Sequence, residues 1–146
     1  EGIGLPVLRL RIDRRALRPV TVVCGLAMLA GCASVGDRES AAGATAERML
    51  SAVAAEDGAG ACAALAPRTR SALEDAADKP CEQAILDEHL PAPGAVTGAD
   101  VYGQWAQVRL TGDTVFLAMF PGGWQVVAAG CTPRQSRPYD CTLAGD

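Results

Sequence analysis

A chain of 146 residues has room for one domain, and its 49% hydrophobic content is ordinary for a globular protein and too high for a disordered one. Seventeen acidic against 13 basic residues leave it at net −4, a sign that repels phosphate backbones and argues against nucleic acid as a partner.

The chain opens with a cationic stretch, Arg9, Arg11, Arg14, Arg15 and Arg18, followed by an apolar run from Val20 to Ala30. Crossing about 30 Å of hydrocarbon takes about 20 apolar residues. A run this short therefore reads as an export signal, a cationic n-region with its h-region, and not as a lasting anchor. It ends in Leu29-Ala30-Gly31-Cys32, which resembles the lipobox of bacterial lipoprotein signal peptides at all four positions. The resemblance implies transfer of a diacylglyceryl group to the Cys32 sulfur, cleavage after Gly31 so that residues 1–31 are lost, and acylation of the new amino group. Two or more acyl chains anchor durably where one holds only marginally. The expected location is thus the extracytoplasmic face of the cell membrane, with Cys32 as the lipid-attachment residue. Removing residues 1–31 takes away five of the 13 basic and two of the 17 acidic residues and leaves a mature chain at net −7. Such a surface has no electrostatic grip on anionic lipid, so attachment must come from the acyl chains.

The cysteines agree with export. Cys24 leaves with the signal and Cys32 takes the lipid, so Cys62, Cys81, Cys131 and Cys141 remain, an even number in an oxidising compartment. Four cysteines allow three connectivities. Cys62–Cys81 with Cys131–Cys141 is favoured because each pair stays inside one structural block. A zinc site is the rival, but no CxxC pair occurs and His89 is the one additional ligand.

Residues 32–45 are small and polar and read as a flexible tether ahead of a domain at 46–146. Ala46 to Glu56 carries Met49, Leu50 and Val53 at helical spacing, with Gly58 and Gly60 as stops. A second helical block, Gly60 to Ala77, bends near Pro67. A third is capped by Asp78, has Pro80 in its first turn, and ends at Pro91. After the turn-rich Pro91-Ala92-Pro93-Gly94 the period changes from winding to alternation.

Four strands are expected from there: Val96 to Tyr102, Trp105 to Thr111, Thr114 to Phe120 and Trp124 to Gly130. Short turns at Gly103-Gln104, Gly112-Asp113 and Pro121-Gly122-Gly123 link them. The third is apolar on both sides and should be covered on both. The tail from Cys131 to Asp146 reads as a loop or short edge strand pinned by its disulfide. Helices first and an antiparallel four-stranded meander after them make an α+β domain with helices on one sheet face. This order resembles the NTF2-like and cystatin-like folds. Gly122 to Cys131 followed by Tyr139-Asp140-Cys141 resembles small lipoproteins of actinobacteria. The NTF2-like resemblance implies a ligand cavity between a curved sheet and its helices. Relatives of that fold include isomerases and dehydratases with a pocket aspartate and histidine, as well as plain binding modules, so the fold by itself does not choose an activity.

Little in the sequence points to catalysis. His89 is the sole histidine, and Asp87 and Glu88 beside it point in other directions on a helix. Glu74, Asp75 and Asp78 share about one turn and read as a solvated face, with weak calcium binding as the alternative. No Walker loop, HExxH or GxSxG occurs, and no cofactor or metal is expected. Trp105, Phe116, Phe120 and Trp124 at strand spacing are either core or the lining of an apolar cleft, with Arg109 or Tyr102 as its polar contact. The function expected is a non-enzymatic binding or accessory module for an envelope protein partner or a small apolar ligand. The alternative is an NTF2-like hydrolase or isomerase with an acid–base pair drawn from Asp100, His89 and Glu88. A filled interior with an exposed apolar patch would favour the first, and an enclosed cavity with two convergent titratable groups the second.

Overall fold

The computed structural model describes residues 34–145, in which four helices precede a five-stranded sheet. The signal segment and Cys32 lie outside the described residues. The helices are α1 (Val35–Ala54), α2 (Gly58–Ala63), α3 (Pro67–Ala77) and α4 (Cys81–Asp87). The strands are β1 (Val96–Tyr102), β2 (Trp105–Leu110), β3 (Asp113–Phe120), β4 (Gly123–Arg134) and β5 (Arg137–Ala144). They lie in the order β1-β2-β3-β4-β5, every neighbouring pair antiparallel. The α+β class is as expected, but the meander has five strands, not four. The difference lies in the tail, where β4 runs past Gly130 to Arg134 and β5 returns along it with Cys141 opposite Cys131. Pro133 falls at a shift of register between Thr132 and Arg134, where its missing N–H does little harm to the ladder.

α1 begins well before the expected start at Ala46. The Ser34 side chain accepts from the Asp37 N–H at 3.1 Å and the Asp37 carboxylate accepts from the Ser34 N–H at 2.9 Å, a reciprocal cap. The bonds from Ser34 hold the Asp37 carboxyl below its ordinary range. Residues 35–45, expected as tether, are therefore helix. Their small side chains allow close packing: Ala42, Gly43, Thr45 and Ala46 are buried, and Gly43 sits against Val96 of β1.

The expected bend near Pro67 is a break between two helices. Leu65 bridges β4 at Val126, with the Val126 N–H donating to the Ala64 carbonyl and the Ala66 N–H to the Val126 carbonyl, both at 2.8 Å. Pro67 then opens α3, where its fixed φ suits the first turn. Asp78 does not cap the next helix; it ends α3 in the left-handed region at φ 51. The first N–H of α4, that of Cys81, donates instead to Glu74 Oε1 at 3.1 Å.

The two disulfides pair as expected, Cys62 with Cys81 and Cys131 with Cys141. The first ties α2 to α4, whose approach depends on Gly58: a Cβ there would stand 1.9 Å from the Glu82 carbonyl oxygen. Between helices and sheet, Met49, Leu50, Ile85, Val108, Val115, Leu117 and Val126 are all at 0% exposure. Each such burial is worth about 1.5–3 kcal/mol. Removing the α2–α4 bond in Cys62→Ser/Cys81→Ser frees a loop of sequence separation 19 and should cost about 3 kcal/mol by chain entropy. Denaturant unfolding of the non-reduced proteins measures it, and an unchanged midpoint would contradict it.

Candidate functional site

Alternation divides the sheet. Along β2, Ala106, Val108 and Leu110 are buried toward the helices, while Trp105, Gln107 and Arg109 face away. Register carries that outward row across the sheet: Trp105 stands opposite Ala118, and Ala118 opposite Gln125; Gln107 stands opposite Phe116, and Phe116 opposite Ala128. The outward face is rich in aromatic groups. Trp105 is 59% exposed, Tyr102 beside it 65%, and Phe116 and Phe120 are half-buried. β3 was expected to be covered on both faces, and its outward side chains are covered only in part. Tyr139 sets its ring edge-on to Phe116 at 5.0 Å, and its hydroxyl accepts from Gln107 Nε2 at 3.0 Å, an aromatic contact worth about 0.5–1.5 kcal/mol.

At one side of this face lies an open groove of about 420 Å³, walled by Pro67 and Arg68 of α3 and floored by Trp105, Ala118, Phe120 and Val127. Its wall is fixed by a shared carbonyl: Val127 O accepts from Thr69 Oγ1 and from the Gly145 N–H, each at 3.1 Å. Gly145 is needed for that approach, since a Cβ would come within 2.8 Å of the Thr69 backbone.

Of the residues expected to bind a ligand, Trp105 and Phe120 line this groove and Phe116 shares its face. Arg109 also lies outward, but its guanidinium pairs with Asp100, which raises the arginine's already high pKa. Trp124 is on the opposite face, buried at 6%, next to Met119 in register, with the Arg38 guanidinium 5.4 Å above its ring. The five residues therefore do not form one site; Trp124 pairs with Met119, and the pleat puts that pair on the face opposite Ala118 and Phe120.

The acid–base candidates are not assembled either. Asp100 is held by Arg109 on the outward face. Glu88 and His89 stand at the C-terminal end of α4, His89 exposed in the left-handed region at φ 51. Their neighbour Asp87 is bound by Lys79 at 2.7 Å, which holds its carboxyl below the ordinary range. In the acidic run, Glu74 serves the N-terminus of α4 and Asp78 ends α3, and no cluster of three metal-ligating side chains occurs among the described residues.

One buried carboxylate was not foreseen. Asp113, expected as a turn residue, is 6% exposed and accepts from the N–H groups of Thr114, Gly130 and Cys131 at 2.6, 3.2 and 3.0 Å. It sits where the β3–β4 ladder stops, beyond the Phe116–Ala128 pair, and supplies the acceptors the missing partner strand would have offered. Burial raises its pKa, and the three N–H groups oppose that rise. In the sequence it is indistinguishable from the aspartates that ordinarily follow glycine in turns. Tyr139 and the α3 wall of the groove were likewise unforeseen, because both reach the face from segments distant in the chain. Comparison of the chain with models of protein families, with curated proteins and with solved structures finds no match.

Proposed function

We propose that this chain is a lipid-anchored, extracytoplasmic binding module that takes a small apolar ligand in the groove beside Trp105 and Phe120. The observation that carries the reading is an aromatic-lined groove on the outward sheet face, over a helix–sheet interface packed with aliphatic side chains. Its volume of about 420 Å³ falls within the about 300–1,000 Å³ of small-ligand sites. Arg68 is the one cation among the lining residues, which suits a ligand with an anionic head on its apolar body. The lipobox and the two disulfides support export. The helix-then-meander order supports the NTF2-like likeness as an architecture. The separated acid–base candidates favour binding over the hydrolase or isomerase reading.

Two measurements test it. Cys32→Ser should leave the membrane fraction or remain as unprocessed precursor, and normal fractionation at the processed mass would overturn the anchor. A fluorescent fatty acid should bind the parent and lose affinity about tenfold or more in Ala118→Trp, which fills the groove, and in Trp105→Ala, which removes its floor. Melting of both variants separates groove loss from misfolding. Unchanged affinity in folded variants, or binding of a protein partner in place of the fatty acid, would overturn the ligand assignment.

A further inference from the structure

Both turns at one end of the sheet are without charge. The β1–β2 connection reads Tyr102-Gly103-Gln104-Trp105, and the β3–β4 connection reads Phe120-Pro121-Gly122-Gly123. Tyr102 at 65% and Trp105 at 59% are among the most exposed large side chains of the domain, together with Val35 at 63%. Val35 opens α1, and α1 begins at this same end: Arg38, one turn in, donates to the Gly103 carbonyl and lies over the Trp124 ring beside the β3–β4 turn. The remaining exposed aromatic group, Tyr139 at 37%, is occupied by Phe116 and Gln107.

In a chain that is net −7 after processing, two uncharged connections with tyrosine, tryptophan and proline beside an exposed valine are a local departure from the composition, and the acid in the first turn of α1 at this end, Asp37, is engaged by Ser34. Its place along the chain supplies the reason. Cys32 precedes Ser34 by two residues, at most about 7 Å of extended backbone, so a lipid on Cys32 would enter the bilayer beside these side chains. Tryptophan and tyrosine have apolar bodies and polar tips and settle at the headgroup level of membranes.

We infer that the end of the sheet carrying Val35, Tyr102 and Trp105 is a membrane-contacting edge, seated in the headgroup region of the bilayer that holds the Cys32 lipid. The inference rests on the lipid anchor proposed above. It orients the domain, with the strands directed away from the membrane and the groove opening beside Trp105 at the bilayer surface. The contact is apolar and interfacial, so zwitterionic phosphatidylcholine, which has no net charge, suffices for it; the acidic chain gains nothing from anionic lipid.

The test uses the full chain made with its own leader, its mature mass recorded, and the purified protein reconstituted into phosphatidylcholine vesicles. The two tryptophans differ in exposure, Trp124 being buried at 6%, so contact quenching by phosphatidylcholine brominated near the headgroup reads Trp105. Emission should fall by about half, as expected for an indole at the interface, while aqueous iodide quenches little. In Trp105→Phe the bromine effect should vanish with melting unchanged, and Tyr102→Ser should raise iodide access to Trp105. A diacylated mass with Trp105 open to iodide and untouched by bromine overturns the inference and leaves the anchor standing. A mass without acyl chains overturns the anchor and the inference together.

Discussion

Trp124→Ala should cost about 3–5 kcal/mol, the usual loss when a large aromatic group is cut from a core, and so should unfold the domain or leave it dependent on its two disulfides. The indole is the largest side chain in the helix–sheet layer and is buried at 6% between Met119 and the Arg38 guanidinium. Trp124→Phe should behave differently. The indole Nε1 is buried and makes no hydrogen bond within the protein, so phenylalanine gives up volume and weakens the cation–π contact but relieves a polar group without a partner. A loss of under about 1.5 kcal/mol is expected, as for other near-isosteric core exchanges. Equal losses in the two variants, by denaturant unfolding, would mean that the N–H and not the ring volume carries the interaction.

Asp113→Ala should cost about 3–5 kcal/mol, because it leaves three backbone N–H groups at the end of the β3–β4 ladder without an acceptor. Asp113→Asn should fall between: its amide oxygen can still serve Thr114 and Cys131, while its NH2 group meets the Gly130 N–H. The pH dependence has a definite sign. Burial raises the Asp113 pKa above its ordinary value, so as pH climbs from about 3.8 through the raised value the folded state holds the proton longer than the unfolded one, and stability from this group falls. The margin of the parent over Asp113→Asn should therefore be greatest in acid and shrink toward neutral pH. Thermal melting of the two proteins across that window measures it, and a margin that grows with pH would reverse the assignment.

Period and punctuation made most of the fold legible. The alternation from Val96 onward identified β1, β2 and β3 to within a residue or so, because a half-exposed strand must alternate to bury one face. The disulfide pairing was legible because each cysteine lay in the same local block as its partner. Residues 35–45 were misread because alanine, glycine and threonine give no apolar stripe, although they are the side chains that let a helix lie close on a sheet. For the tail, loop and short edge strand stayed open, and the run of β4 past Gly130 was not expected, because Pro133, Pro138 and polar residues look like loop and only the cross-strand partner makes them a ladder.

The candidate site shows the same division more sharply. Trp105, Phe120 and Phe116 were identified as a set of aromatic residues, but Trp124 joined them on spacing alone; its pairing with Met119 places it on the other face. By itself the sequence determined the class of the fold, the charge balance and the cysteine pairing, all of which depend on composition or on residues close in the chain. Tertiary structure alone decided the face on which each aromatic group lies, the burial of Asp113, the shielding of Phe116 by Tyr139 and the groove wall from α3. Those features arise where segments separated by tens of residues meet, and no local pattern of side chains encodes which segments will do so.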